Sequence, residues 1–146
     1  MHAEGDFRVR APVAKVWAFF RDPVTLAGCL EDPHEVHATD ATHFEGTMTT
    51  GVAFIRGTFR LRGSYAAETP ATQMQVLLQG SGMGSGVDAA LTVSFAELPE
   101  GTAVHWTGEI KMSGTIATVG ERLVKGTVDK KVTALFAAAR AQLEPA

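Results

Sequence analysis

Only one cysteine, Cys29, stands among the 146 residues, so no internal disulfide can form and no cysteine-rich zinc site can assemble. That scarcity fits a reducing compartment. An excess of one charge is also missing. With 13 basic and 16 acidic residues the net charge is −3, which gives no electrostatic reason for a nucleic-acid partner. No stretch of about 18 apolar residues occurs, so no segment reads as a membrane-spanning helix. The opening Met1–Asp6 has neither the positive flank nor the apolar stretch of a secretory signal. These absences predict a soluble protein of the cytoplasm.

Catalytic and metal signatures are lacking as well. His34 and His37 are three apart, which on a strand sends them to opposite faces, and His105 alternates with the apolar Trp106. Neither an H-E-x-x-H segment nor a Cys/His cluster is present, so no metal ligand is expected. Cys29 has no evident activating neighbour and reads as a structural thiol. A G-x-S-x-G elbow is absent. The glycine run Gly80–Gly86 has no Lys-Ser/Thr ending and does not fit G-x-G-x-x-G. It lies between strand patterns, where it reads as a flexible hairpin or a mobile flap over a cavity mouth. We therefore expect no catalytic residue and no required cofactor.

What is present is a change of period. Phe7, Val9 and Ala11 alternate with Arg8 and Arg10 as a half-buried strand. Pro12 then opens a helix whose apolar stripe is Val13, Val16, Trp17 and Phe20. Asp22 and Pro23 cap and start a second short helix, with Leu26 and Leu30 as its buried side. From about Pro33 to Met112 the apolar period is two, in segments broken by turn residues. With the first strand this predicts about seven antiparallel strands. After Gly114 the period becomes 3.6. Ile116, Val119, Leu123, Val128, Val132, Leu135, Phe136, Ala139 and Leu143 form one stripe, predicting a continuous helix over Thr115–Leu143, about 42 Å long. Its only large apolar partner is the concave face of the sheet. The expectation is a single α+β domain over residues 1–146, a curved sheet gripping a long C-terminal helix.

Several segments resemble the carbon monoxide dehydrogenase CoxG family of the START-like, SRPBCC helix-grip superfamily. They are Val16-Trp17, Asp22-Pro23, Leu26–Leu30, Gly57–Arg60, Gly80–Gly86 and Gly114–Leu123. The sequence departs from the family's usual wording at Glu31-Asp32, where Pro-Gly is common, and at Ala53-Phe54, where Gly-Pro is common. The resemblance implies a non-catalytic accessory role beside a molybdenum-containing carbon monoxide dehydrogenase or related hydroxylase. It further implies a lipophilic ligand such as a quinone, and peripheral contact with the inner face of the membrane.

The inward faces support a ligand site on their own terms. Phe59, Leu61, Tyr65, Met74, Val76, Leu78, Ala89, Leu91, Trp106, Gly108 and Ile110, with Val119 and Leu123 from the helix, carry almost no ionisable groups. Much of this set must be core. Small residues among the inward positions (Gly46, Gly63, Ala89, Gly108) are expected to leave room that a pure core would fill. Tyr65 and Trp106 are candidates to orient a polar end of the ligand. Two other functions stay open at this point. One is a cyclase- or hydrolase-like enzyme acting on a hydrophobic substrate in the same cavity, although acid and base groups are missing from the inward faces. The other is an interaction domain using an outward basic strip of Arg56, Arg60 and Arg62.

Overall fold

The computed structural model describes residues 1–145. Its elements run β1 (His2–Val9), α1 (Val13–Arg21), α2 (Pro23–Ala27), β2 (His34–Ala38), β3 (His43–Val52), β4 (Ile55–Thr69), β5 (Gln73–Gly82), β6 (Ser85–Leu98), β7 (Gly101–Gly114), a 3₁₀ turn (Thr115–Thr118) and α3 (Glu121–Leu143). The seven strands form one antiparallel sheet in the order β1-β7-β6-β5-β4-β3-β2. The expected α+β order of strand, two short helices, six strands and a long helix is therefore what the chain adopts.

Local chemistry accounts for the early elements. Asp22 accepts hydrogen bonds from the amides of Val24 and Thr25 at 3.0 and 3.3 Å, with Pro23 in the first turn of α2. The buried side of this segment is Ala27 and Cys29, not Leu26 and Leu30, which are half-buried. The helix ends at Ala27, one turn short of Leu30, so the expected spacing of four no longer selects a face. Gly46 is required by close approach: a Cβ there would lie 1.9 Å from the Glu35 carbonyl oxygen of β2.

The C-terminal segment differs from the expected single helix. Gly120 adopts φ 96°, outside the helical region, and separates the 3₁₀ turn from α3. The stripe shifts with it. Val124 is buried at 4% exposure, whereas Leu123 is exposed at 58%. A reading that carries one helical period through Gly120 accumulates a phase error, and Leu123 is where the error shows. The remaining α3, 23 residues, is about 34 Å long.

The glycine run is a tight hairpin. Pairing continues to Gly82 and Ser85, leaving only Met83 and Gly84 in the turn, both at positive φ (53° and 69°). Two such residues match the right-handed twist of the flanking strands.

Candidate functional site

One face of the sheet, with α1 and α3, holds two packed clusters. The larger is aromatic. Phe7 stacks on Phe136 with ring centroids 4.5 Å apart, and Phe20 lies 5.9 Å from Phe95 and 6.0 Å from Phe136. Tyr65, Met74, Val93, Val104, Trp106, Ala139 and Leu143 complete it. The second cluster, Ile55, Phe59, Ile116 and Val124, lies where the β3–β4 hairpin meets the 3₁₀ turn and the start of α3.

Between them lies a strip that the clusters cover only at its ends, where Val87 packs against the second cluster and Phe44 of the first lies over Gly63. Two inward rungs cross it, Leu61–Gly80–Val87 and Gly63–Leu78–Ala89, with Leu91–Gly108 beside them. Leu61, Leu78, Ala89 and Leu91 are half-buried and join neither cluster. A Cβ on Gly80 would meet nothing nearer than Leu61 Cδ2 at 3.6 Å. Well-packed interiors rarely leave adjoining apolar side chains half covered. These four side chains form a half-covered apolar strip on the inner face.

The expected site residues divide accordingly. Tyr65, Met74, Val76 and Trp106 belong to the aromatic cluster, and Phe59 and Val119 to the second. Leu61, Leu78, Ala89, Leu91, Gly108 and Ile110 lie on strands between the two, the last two buried. Leu123 points to solvent.

Small inward residues do not all leave room. A Cβ on Gly63 would fall 2.1 Å from the Phe44 ring, and one on Gly108 would fall 2.8 Å from Leu91 Cδ2. At these two positions glycine admits a large neighbour, which a reading of one strand at a time cannot see.

Nor is Tyr65 free to orient a ligand. Its hydroxyl donates to the Phe20 carbonyl at 3.2 Å, and the Arg21 guanidinium lies 4.0 Å from its ring centroid. Burial pushes the Tyr65 phenol well above its ordinary value. Burial also raises the Cys29 thiol, the opposite of what a nucleophile needs.

Three polar residues that sequence reasoning missed as a group lie together on the β3 side of this face. Lys131 of α3 donates to the Asp32 carboxylate at 2.7 Å. Thr50 is 7% exposed, and its hydroxyl lies beside the Asp32 carboxylate, the acceptor within its reach. Burial pushes the Asp32 carboxyl up, but the Lys131 ammonium, the nearby Thr50 hydroxyl and the Arg56 charge together hold it below the usual carboxylate range. The inward position of Thr50 follows from the alternation of β3. Its pairing with residues 32 and 131 has no local signal.

The opposite face is polar. A groove of about 770 Å³ crosses β2 to β6, lined by Arg60 and Arg62 but equally by Glu35, Glu45 and Asp88. The expected basic strip is thus interleaved with acids. Among the described residues no group of three or more His, Cys, Asp or Glu is placed to hold a metal ion, and no helix is long and apolar enough to cross a membrane.

Known structures share this architecture. A conserved protein from Geobacillus kaustophilus superposes with a TM-score of 0.91 at 18% identity, over 98% of this chain and 95% of its own. A START superfamily protein from Mycobacterium smegmatis does so with a TM-score of 0.75 at 11% identity, over 97% and 96%. The di-domain ARO/CYC BexL of the BE-7585A biosynthetic pathway is similar with a TM-score of 0.65 at 16% identity, over 100% of this chain and 50% of that one. At such identities the likeness establishes a START-like fold and nothing finer. No curated protein sequence matches significantly. The family model for the CoxG component of carbon monoxide dehydrogenase matches residues 5–144. The chain belongs to the carbon monoxide dehydrogenase CoxG family.

Proposed function

We propose that this protein is a non-catalytic accessory protein that holds a lipophilic small molecule, such as a quinone, in the trough beneath α3. It serves a carbon monoxide dehydrogenase-type molybdenum hydroxylase. The observation that carries the reading is the half-buried apolar strip between two packed clusters. Its side chains offer an apolar ligand burial at about 25 cal/mol per Å², and no ionisable group lies on its floor. Family membership supports the accessory role.

Peripheral contact with the inner membrane face belongs to the same proposal. Phe54, Met83 and Leu123 are exposed at 72%, 52% and 58%. They occupy the β3–β4 turn, the β5–β6 turn and the start of α3, at one end of the molecule. Apolar side chains grouped at one end suit shallow insertion into a lipid surface.

The test is native mass spectrometry of the purified protein, with organic extraction of whatever co-purifies. An added mass near that of one lipophilic molecule supports the reading. A bare chain with an empty extract, from cells that also make the partner hydroxylase, contradicts it.

The second reading is an enzyme acting on a hydrophobic substrate, favoured by the likeness to the ARO/CYC di-domain. The trough floor, however, presents no acid or base for such chemistry.

A further inference from the structure

The end of the molecule that carries Phe54, Met83 and Leu123 also carries an excess of positive charge. Met83 lies over Gly57 at the start of β4, and Val124 clusters with Ile55, so the β3–β4 turn, the β5–β6 turn and the first turn of α3 share this end. The break at Gly120 leaves Leu123 facing outward there. Around these apolar side chains stand Arg56, Arg122 and Lys125, all exposed. Among the described residues none of the three is ion-paired. Glu121 and Asp129 lie one turn to either side of Lys125, but Glu121 faces the N-terminal ammonium at 3.8 Å instead. Arg56 also lies near Asp32, which Lys131 already engages.

The opposite end has the reverse sign. The β2–β3, β4–β5 and β6–β7 turns, with the strand ends beside them, carry Asp40, Glu68, Glu97 and Glu100. The bases there are engaged: Arg10 pairs with Glu144, Arg21 with Glu68, and Lys15 donates to the Leu143 carbonyl at 3.2 Å. At a net charge of −3, an anionic surface repels the chain as a whole and attracts only the end bearing Arg56, Arg122 and Lys125. Single apolar side chains projecting from three separate turns suit a fluid layer that closes around each of them, not the preformed pocket of a partner protein.

We propose that this end is a docking surface for an anionic lipid bilayer. Phe54, Met83 and Leu123 enter the headgroup layer, and Arg56, Arg122 and Lys125 meet its negative charges. This rests on the peripheral contact proposed above and adds to it a lipid class, an orientation and a dependence on salt. Each basic side chain near an anionic leaflet contributes about fivefold in affinity, and the attraction is screened beyond about 10 Å at 0.1 M salt.

The test is flotation of the full chain, stripped of bound lipid, with two kinds of vesicle: phosphatidylcholine alone, and equal parts phosphatidylcholine and phosphatidylglycerol. The parent should bind the mixed vesicles at low salt at least about tenfold more tightly than the neutral ones, and high salt should release it. Arg122→Gln and Lys125→Gln should each weaken that binding about fivefold. Arg62→Gln removes the same charge from the outer face of β4 and should leave it unchanged. Tryptophan emission of Phe54→Trp should shift to the blue on the mixed vesicles. Equal binding to both vesicles overturns the anionic docking surface and leaves the peripheral contact standing. Equal losses from Arg62→Gln and Arg122→Gln overturn its placement at this end, and an unshifted Phe54→Trp spectrum overturns the insertion. Binding to neither vesicle overturns the docking surface and the peripheral contact together.

Discussion

Lys131 Nζ lies 2.7 Å from the Asp32 carboxylate, which ties the middle of α3 to the loop between α2 and β2. Nearer its C-terminus, α3 is held to the other margin of the sheet, where Arg140 Nη2 donates to the Arg8 carbonyl at 2.8 Å. The helix is thus fastened at β1 and beside β3, and the half-buried strip of Leu61, Leu78, Ala89 and Leu91 lies between the fastenings.

The first fastening is pH-dependent, and its sign follows from the charge. The Asp32 carboxyl titrates below its ordinary value of 3.8 in the folded chain. Its contribution is therefore present above that value and disappears as pH falls through the lower folded one. Asp32→Asn should cost no more than about 1 kcal/mol at pH 7, since the pair is partly solvated. Melting curves of the variant and the parent should converge only once the pH has fallen below the lowered folded value. A gap that widens on acidification contradicts this account of the pair.

Two glycines near the start of α3 should respond to alanine with opposite signs. A Cβ on Gly120 or Gly126 would meet nothing within 4 Å, so only the backbone decides. Gly120 sits at φ 96°, and Gly120→Ala should destabilise by about 1–2 kcal/mol. Gly126 lies inside the helix, and Gly126→Ala should stabilise by up to about 1 kcal/mol. Urea unfolding of both variants checks the pair. Equal effects would mean that Gly120 does not break the helix in solution.

Gly108→Leu should destabilise by about 1–3 kcal/mol, because Leu91 already occupies the space beside Gly108. Chemical denaturation of the stripped protein reads this directly. A variant as stable as the parent would place open volume at Gly108.

The fold was legible where one period held over a whole element. Alternation in β4 to β7 and the 3.6 period beyond residue 120 placed those strands and the long helix. It failed at Gly120, where a single positive φ resets the helical phase and exchanges Leu123 for Val124. The candidate site was legible only in part. Inward parity singled out Leu61, Leu78 and Leu91, but whether a glycine leaves space or admits a neighbour depends on the facing strand. Gly63 under the Phe44 ring and Gly80, where a Cβ would make only ordinary contact with Leu61, look alike in sequence. The link from Asp32 to Lys131 joins residues 99 positions apart and carries no local pattern.

The central claim is that the strip around Ala89 and Gly80 is space for a ligand and not core. Ala89→Leu and Gly80→Leu add bulk there, and the measurement pairs thermal unfolding of the stripped variants with decylubiquinone titration followed by tryptophan fluorescence. In an open trough the added methylenes gain burial at about 25 cal/mol per Å² while taking the ligand's room. The predicted result is an unchanged or raised melting temperature with probe affinity lower by about tenfold or more, equivalent to about 1.4 kcal/mol. A clearly lowered melting temperature with unaltered affinity in the folded fraction would contradict the account, because it would make this face ordinary packed core.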